Sequence, residues 1–163
     1  MKVLVSDTSV LVDLERGSLL EATFRLPVTL AVPDLLYQQE LSNHNGSQLL
    51  NLGLKLLELD GQGVETANNY RKQVRTISLP DSFALALAKI SDFILLTGDG
   101  ALRNLAETEK VECHGVLWIL DFLEQEQVVA TTDLYEGLNK IANHPRCRLP
   151  KHEVIIRLNR FAK

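Results

Sequence analysis

The sequence predicts an α/β fold, a central mostly parallel sheet with helices on both of its faces. Two observations predict it. Short apolar runs alternate with stretches of helical periodicity or composition. Several of those runs also end in a polar or glycine-containing segment that opens a helix, the pattern of βαβ units. Right-handed crossovers then put helices on both sides of the sheet.

Taken in order, Val3-Leu4-Val5 is a buried strand ended by Ser6-Asp7-Thr8-Ser9, where a helix starts. Val28 to Val32 is a second strand, apolar and partly β-branched. Pro33-Asp34 opens a helix through Glu40 to about Leu41, with Asp34 as its N-cap. Asn43-His44-Asn45-Gly46 reads as a loop, Lys55 to Leu59 as a third strand, and residues 63–76 as a polar-faced helix. After the break at Leu79-Pro80-Asp81-Ser82, the Ala- and Leu-rich run from Phe83 predicts a buried helix. Phe93 to Thr97 is the clearest buried strand; Gly98-Asp99-Gly100 ends it and a helix follows from Ala101. Val111-Glu112-Cys113 is a last short strand. Residues 116–126 form an amphipathic helix with Leu117, Leu120, Phe122 and Leu123 inward, and helices over about 132–142 and 151–161 close the chain. Trp118 belongs most simply to the core.

Length and composition exclude several classes. The 163 residues make one domain of ordinary globular composition. No apolar run approaches the roughly 20 residues that span a bilayer, and the start of the chain is charged too early for a secretory signal. Cys113 and Cys147 stand far apart without CxxC spacing, so neither a disulfide framework nor a zinc site is expected, and a cytoplasmic location is. The four histidines lack HxxxH or HExxH spacing. There is no phosphate-binding glycine loop and no Gly-x-Ser-x-Gly elbow. Charge is unevenly spread. Residues 1–143 hold 11 Lys and Arg against 20 Asp and Glu, whereas residues 144–163 hold six against Glu153 alone. A solvated helix face, a phosphate-facing patch and a docking site for an acidic partner all fit that basic end.

In open parallel sheets, ligands bind outside the carboxyl ends of the strands. Asp7 directly follows the first strand, and Asp99 follows the strand ending at Thr97. Asp81 starts the helix before that strand, and Glu40 lies about two turns into the helix after the second strand. Each aspartate also suits an N-cap, and Glu40 suits a solvated helix face. Crowded together, four carboxylates repel one another unless a cation joins them. Hard divalent cations take oxygen ligands, and they activate water and stabilise a departing alkoxide in phosphodiester hydrolysis. Asp13 is a fringe or solvated residue, Asp92 a turn residue, and Arg103 a phosphate contact or a solvated side chain.

These segments resemble the PIN-domain family. The resemblance rests on Val3-Leu4-Val5-Ser6-Asp7-Thr8-Ser9, on Glu40 in Gln38-Gln39-Glu40-Leu41, on Pro80-Asp81-Ser82-Phe83-Ala84-Leu85-Ala86-Leu87-Ala88, and on Leu95-Leu96-Thr97-Gly98-Asp99. It spans about residues 1–120. It implies a three-layer α/β/α sandwich and a Mg²⁺ or Mn²⁺ site made by Asp7, Glu40, Asp81 and Asp99. Thr8 and Thr97 would position those ligands. Residues 1–163 would form a single domain, with about 130–163 as extra C-terminal helices. It further implies a metal-dependent endoribonuclease acting on RNA, in the manner of toxins silenced by a cognate antitoxin protein, and a homodimer. The alternative is a catalytically inactive scaffold that binds a protein or RNA partner. Residues 111–118 and 148–150 resemble a less characterised PIN subgroup, which bears on the toxin assignment more than on the fold.

Overall fold

A computed structural model describes residues 2–163. Its sheet contains β1 (Lys2–Ser6), β2 (Val28–Pro33), β3 (Lys55–Leu57), β4 (Ile94–Leu96) and β5 (Cys113–His114). Their spatial order is β3-β2-β1-β4-β5, and every pairing is parallel. The chain therefore walks outward one way from β1 to β3, then returns to the other side of β1 for β4. That reversal opens a crevice at the carboxyl ends of β1 and β4.

Alternation along the strands divides the core in two. Leu4, Leu30, Val32, Ile94 and Leu96 face one layer, while Val5 and Leu95 face the other. The second layer is α5 (Gly61–Gln73), α6 (Leu79–Ser91) and α7 (Gly100–Thr108). Ala84, Ala86 and Ala88 of α6 are buried, and their small side chains let it lie close to the sheet. The first layer holds α1 (Thr8–Arg16), α2 (Leu20–Phe24), α3 (Asp34–Leu36), α4 (Gly46–Leu52), α8 (Val116–Gln125), α9 (Thr131–Ala142) and α10 (Lys151–Phe161). This is the expected three-layer α/β/α arrangement.

Several local expectations change. α2 and α4 were not foreseen; neither has a side-chain cap bond, and buried Leu20, Ala22 and Leu49 hold them through the core. Asp34 is not an N-cap: Pro33 takes that position, and the Asp34 carboxylate accepts the Leu35 N–H instead at 2.8 Å. The helix it opens widens into a π-turn, Tyr37–Leu41. α6 begins earlier than Ser82, with Ser78 as its cap. β4 spans Ile94–Leu96, and Thr97 just beyond it still donates its N–H to the His114 carbonyl at 3.0 Å while its hydroxyl donates to Asp7. In α8, Val116, Ile119, Leu120 and Leu123 are buried, whereas Leu117 and Phe122 are half-buried. Trp118 is also half-buried, stacked on His114 with ring centroids 4.2 Å apart. Asp92 is a turn residue as expected, the left-handed C-cap of α6 at φ 56°.

The C-terminal helices are firmly joined to the body. Arg157 makes a paired contact with the Asp121 carboxylate at 2.9 and 2.8 Å, and Arg160 reaches Asp121 at 2.6 Å and Glu124 at 2.8 Å. Val154 and Phe161 bury beneath them. Gly137 lets α9 cross the end of α1 closely: a Cβ there would lie 2.7 Å from the Gly17 carbonyl oxygen. No helix among the described residues is long and apolar enough to cross a membrane.

Candidate active site

A cleft of about 830 Å³ opens at the carboxyl edge of β1 and β4, and Asp7, Glu40, Asp81 and Asp99 all line it. Topology brings them there. Asp7 leaves the end of β1 directly, and Asp99 follows β4 after Thr97 and Gly98. A crossover helix runs antiparallel to its strands, so the start of α6, which precedes β4, returns to the same edge with Asp81. The helix after β2 leaves that edge with Glu40.

Asp7 is the most constrained of the four. It is 2% exposed, and its backbone N–H extends the sheet by donating to the Leu96 carbonyl at 2.9 Å. Its carboxylate accepts the Val10 N–H at 3.0 Å and so caps α1. It also accepts the Thr97 hydroxyl and the Ser9 hydroxyl, the latter at 2.8 and 2.9 Å. Burial raises its pKa above the ordinary value, and the hydrogen bonds from Thr97, Val10 and Ser9 oppose that rise. Ser9 and Thr97 each face two ways. Ser9 accepts the Gly98 N–H at 3.2 Å, and Thr97 accepts the Asp99 N–H at 3.0 Å, which ties the end of β4 to Asp7.

Asp99 caps α7, accepting the Leu102 N–H at 2.8 Å. Glu40 accepts the Thr8 hydroxyl at 2.6 Å. Asp81 is not the cap of α6; its N–H donates to Ser78 Oγ at 3.1 Å, and its carboxyl looks into the cleft from the first helical turn. Its pKa is pushed up to about 7. Burial is the main cause, followed by the negative charges of Asp7, Glu40 and Asp99, against a lowering contact from Ser78. One side chain thus registers the other three.

Among the described residues, no three His, Cys, Asp or Glu side chains are gathered tightly enough to hold an ion as they stand. Hydrogen bonds from the protein hold Asp7, Glu40 and Asp99 in place. The donor set still fits a hard divalent ion. All four groups are carboxylates on one cleft, and Asp81 carries the cost of their proximity.

A family model described as DUF3368, a PIN domain, matches residues 3–162. The chain belongs to this PIN-domain family. PIN domains are in general nucleases, and they typically use divalent metals. The match runs on through α9 and α10, well past the first 120 residues that carried the resemblance. No curated protein matches the sequence.

Among the further cleft residues that the sequence did not single out as site residues are the polar Ser9, Arg16, Arg146 and Arg148. Ser9, two positions after Asp7, carried a signal as a potential helix-start hydroxyl. Asp13 also lines the cleft, where burial raises its pKa against the lowering charge of Arg16, 3.5 Å away. Arg103 reaches the cleft wall and donates to the Thr97 carbonyl at 3.2 Å.

Proposed function

We propose that this PIN domain is a metal-dependent endoribonuclease, with Asp7, Glu40, Asp81 and Asp99 as its metal-binding and catalytic carboxylates. One observation carries the reading: Asp7, Glu40, Asp81 and Asp99, from four separate stretches of chain, line one cleft at the switch point of a parallel sheet. A divalent ion, when bound, supplies activation of water and stabilisation of the departing alkoxide. Mg²⁺ and Mn²⁺ are the ions that four hard oxygen donors suit.

The residues themselves divide the work. Thr97 and Ser9 fix the direction of the Asp7 carboxylate, and Thr8 fixes that of Glu40. Asp99 is held by the first turn of α7. Burial and the charges of Asp7, Glu40 and Asp99 push the Asp81 carboxyl up to about 7, and a positive charge in the cleft would lower it again.

The test is cleavage of a fluorophore-quencher RNA with Mn²⁺, Mg²⁺ or EDTA. Wild type is expected to cut with metal and not with EDTA, and Asp99→Asn to lose at least about 100-fold in rate. Equal cutting by both proteins, or cutting unaffected by EDTA, contradicts the assignment. The toxin reading, with a silencing antitoxin as partner, rests on the resemblance alone. It expects growth arrest on expression of wild type but not of Asp99→Asn. A non-catalytic scaffold is the second reading, favoured by the spread of the carboxylates and by the capping bonds of Asp7 and Asp99. Absence of cutting with every divalent ion supports it.

A further inference from the structure

The basic end of the chain is not one surface. Arg157 and Arg160 are spent on Asp121, Glu124 and Glu153. Residues 145–150, between α9 and α10, instead run along the wall of the carboxylate cleft. Arg146 and Arg148 of that strap are exposed, and among the described residues neither guanidinium makes an ion pair or a hydrogen bond. The other two arginines of the cleft are engaged, Arg16 with Asp13 and Arg103 with the Thr97 carbonyl.

The strap is pinned at both ends. α9 is seated on α1 through the close approach of Gly137 to Gly17, and α10 is fastened to α8 by Arg157. Two unpaired guanidinium groups are therefore held beside four carboxylates, on a body that is otherwise strongly acidic. An anionic substrate approaching that body meets repulsion unless cations lie along its path. Guanidinium groups match phosphate oxygens in charge and in fork geometry.

We propose that the 145–150 strap is the phosphate clamp of this enzyme, with Arg146 and Arg148 gripping the backbone of single-stranded RNA next to the scissile position. This rests on the nuclease reading for the nature of the substrate. The clamp acts in binding: Arg146 and Arg148 hold the strand while the carboxylates do the chemistry.

The test measures fluorescence anisotropy of a fluorescein-labelled single-stranded oligoribonucleotide over a range of KCl. It is done in Ca²⁺ buffer, with a gel showing the probe uncut. For Arg146→Ala/Arg148→Ala the Kd is expected to rise at least about 10-fold. The slope of log K against log salt is expected to shrink by about 1.4, the loss of two phosphate contacts on a single strand. Its melting temperature should match wild type, since both side chains are exposed and unpaired. Arg75→Ala, an exposed arginine outside the cleft, should keep the wild-type Kd and salt slope. A double variant with wild-type Kd and slope overturns the clamp, as does a wild-type protein that binds polyglutamate but not RNA. The two readings fail separately. RNA binding that depends on Arg146 and Arg148 without any cleavage sinks the nuclease and leaves the clamp. Cleavage with binding indifferent to both arginines sinks the clamp alone.

Discussion

Asp99 carries two roles that a single substitution separates. Its carboxylate caps α7 and faces the cleft. Asparagine caps a helix as well as aspartate does but brings no charge. Asp99→Asn is therefore expected to melt within about 2 °C of wild type while losing cleavage, and Asp99→Ala to lose cleavage and about 1 kcal/mol of stability as well. Urea melts beside a cleavage assay check both. Asp81 sets the pH dependence. Its carboxyl titrates at about 7 in the fold, against 3.8 as the ordinary value. The folded state holds that proton more tightly than the unfolded chain, so the stabilising contribution is full below pH 3.8 and is lost as pH rises to about 7. Discounted for the solvent that reaches the group, the loss is about 1–2 kcal/mol. In EDTA at pH 8, Asp81→Asn should be more stable than wild type and lack this slope; Mn²⁺ should reverse the order. Thr8 acts through Glu40. Thr8→Val leaves that carboxylate undirected and is expected to lower cleavage or Mn²⁺ affinity about 10-fold, with the fold intact by circular dichroism.

Among the elements, strands were the most legible and their ends the least. Ile94–Leu96 lies inside the run read as Phe93 to Thr97, because an apolar run marks burial and not the bounds of backbone pairing. The order of Asp7, Glu40, Asp81 and Asp99 along the chain could be read because strand ends and helix starts share one edge of a parallel sheet. The π-turn carrying Glu40 could not, since a one-residue widening leaves no mark on periodicity. α2 and α4 escaped because tertiary burial holds them without capping residues. The clamp arginines escaped for a related reason: composition located the basic segment, but only packing separates the paired Arg157 from the unpaired Arg146. The close crossing of α9 on α1 gives a direct check on that packing. Gly137→Ala forces a methyl to within 2.7 Å of both the Gly17 carbonyl oxygen and Leu19. It should cost about 1–3 kcal/mol in a urea melt, and it should weaken RNA binding by shifting the strap.

At the scale of the whole molecule, a doubly wound sheet with its switch point between β1 and β4 gathers acid from four separate stretches of chain at one edge. The two C-terminal helices then hold a basic strap along the wall of the same cleft. The acidic edge is suited to a metal and the basic strap to a phosphate chain, and each lies beside the other only because the chain folds back over its own first helix. Four carboxylates on one cleft are a donor set that suits a shared hard divalent cation. The anomalous difference map of a crystal soaked in Mn²⁺ tests this most directly. The expected result is a peak in the cleft with oxygens of Asp7 and Asp99 drawn to about 2.0–2.3 Å from it, and Glu40 or Asp81 joining directly or through water. A cleft without a peak, its carboxylates unmoved at saturating Mn²⁺, would contradict it.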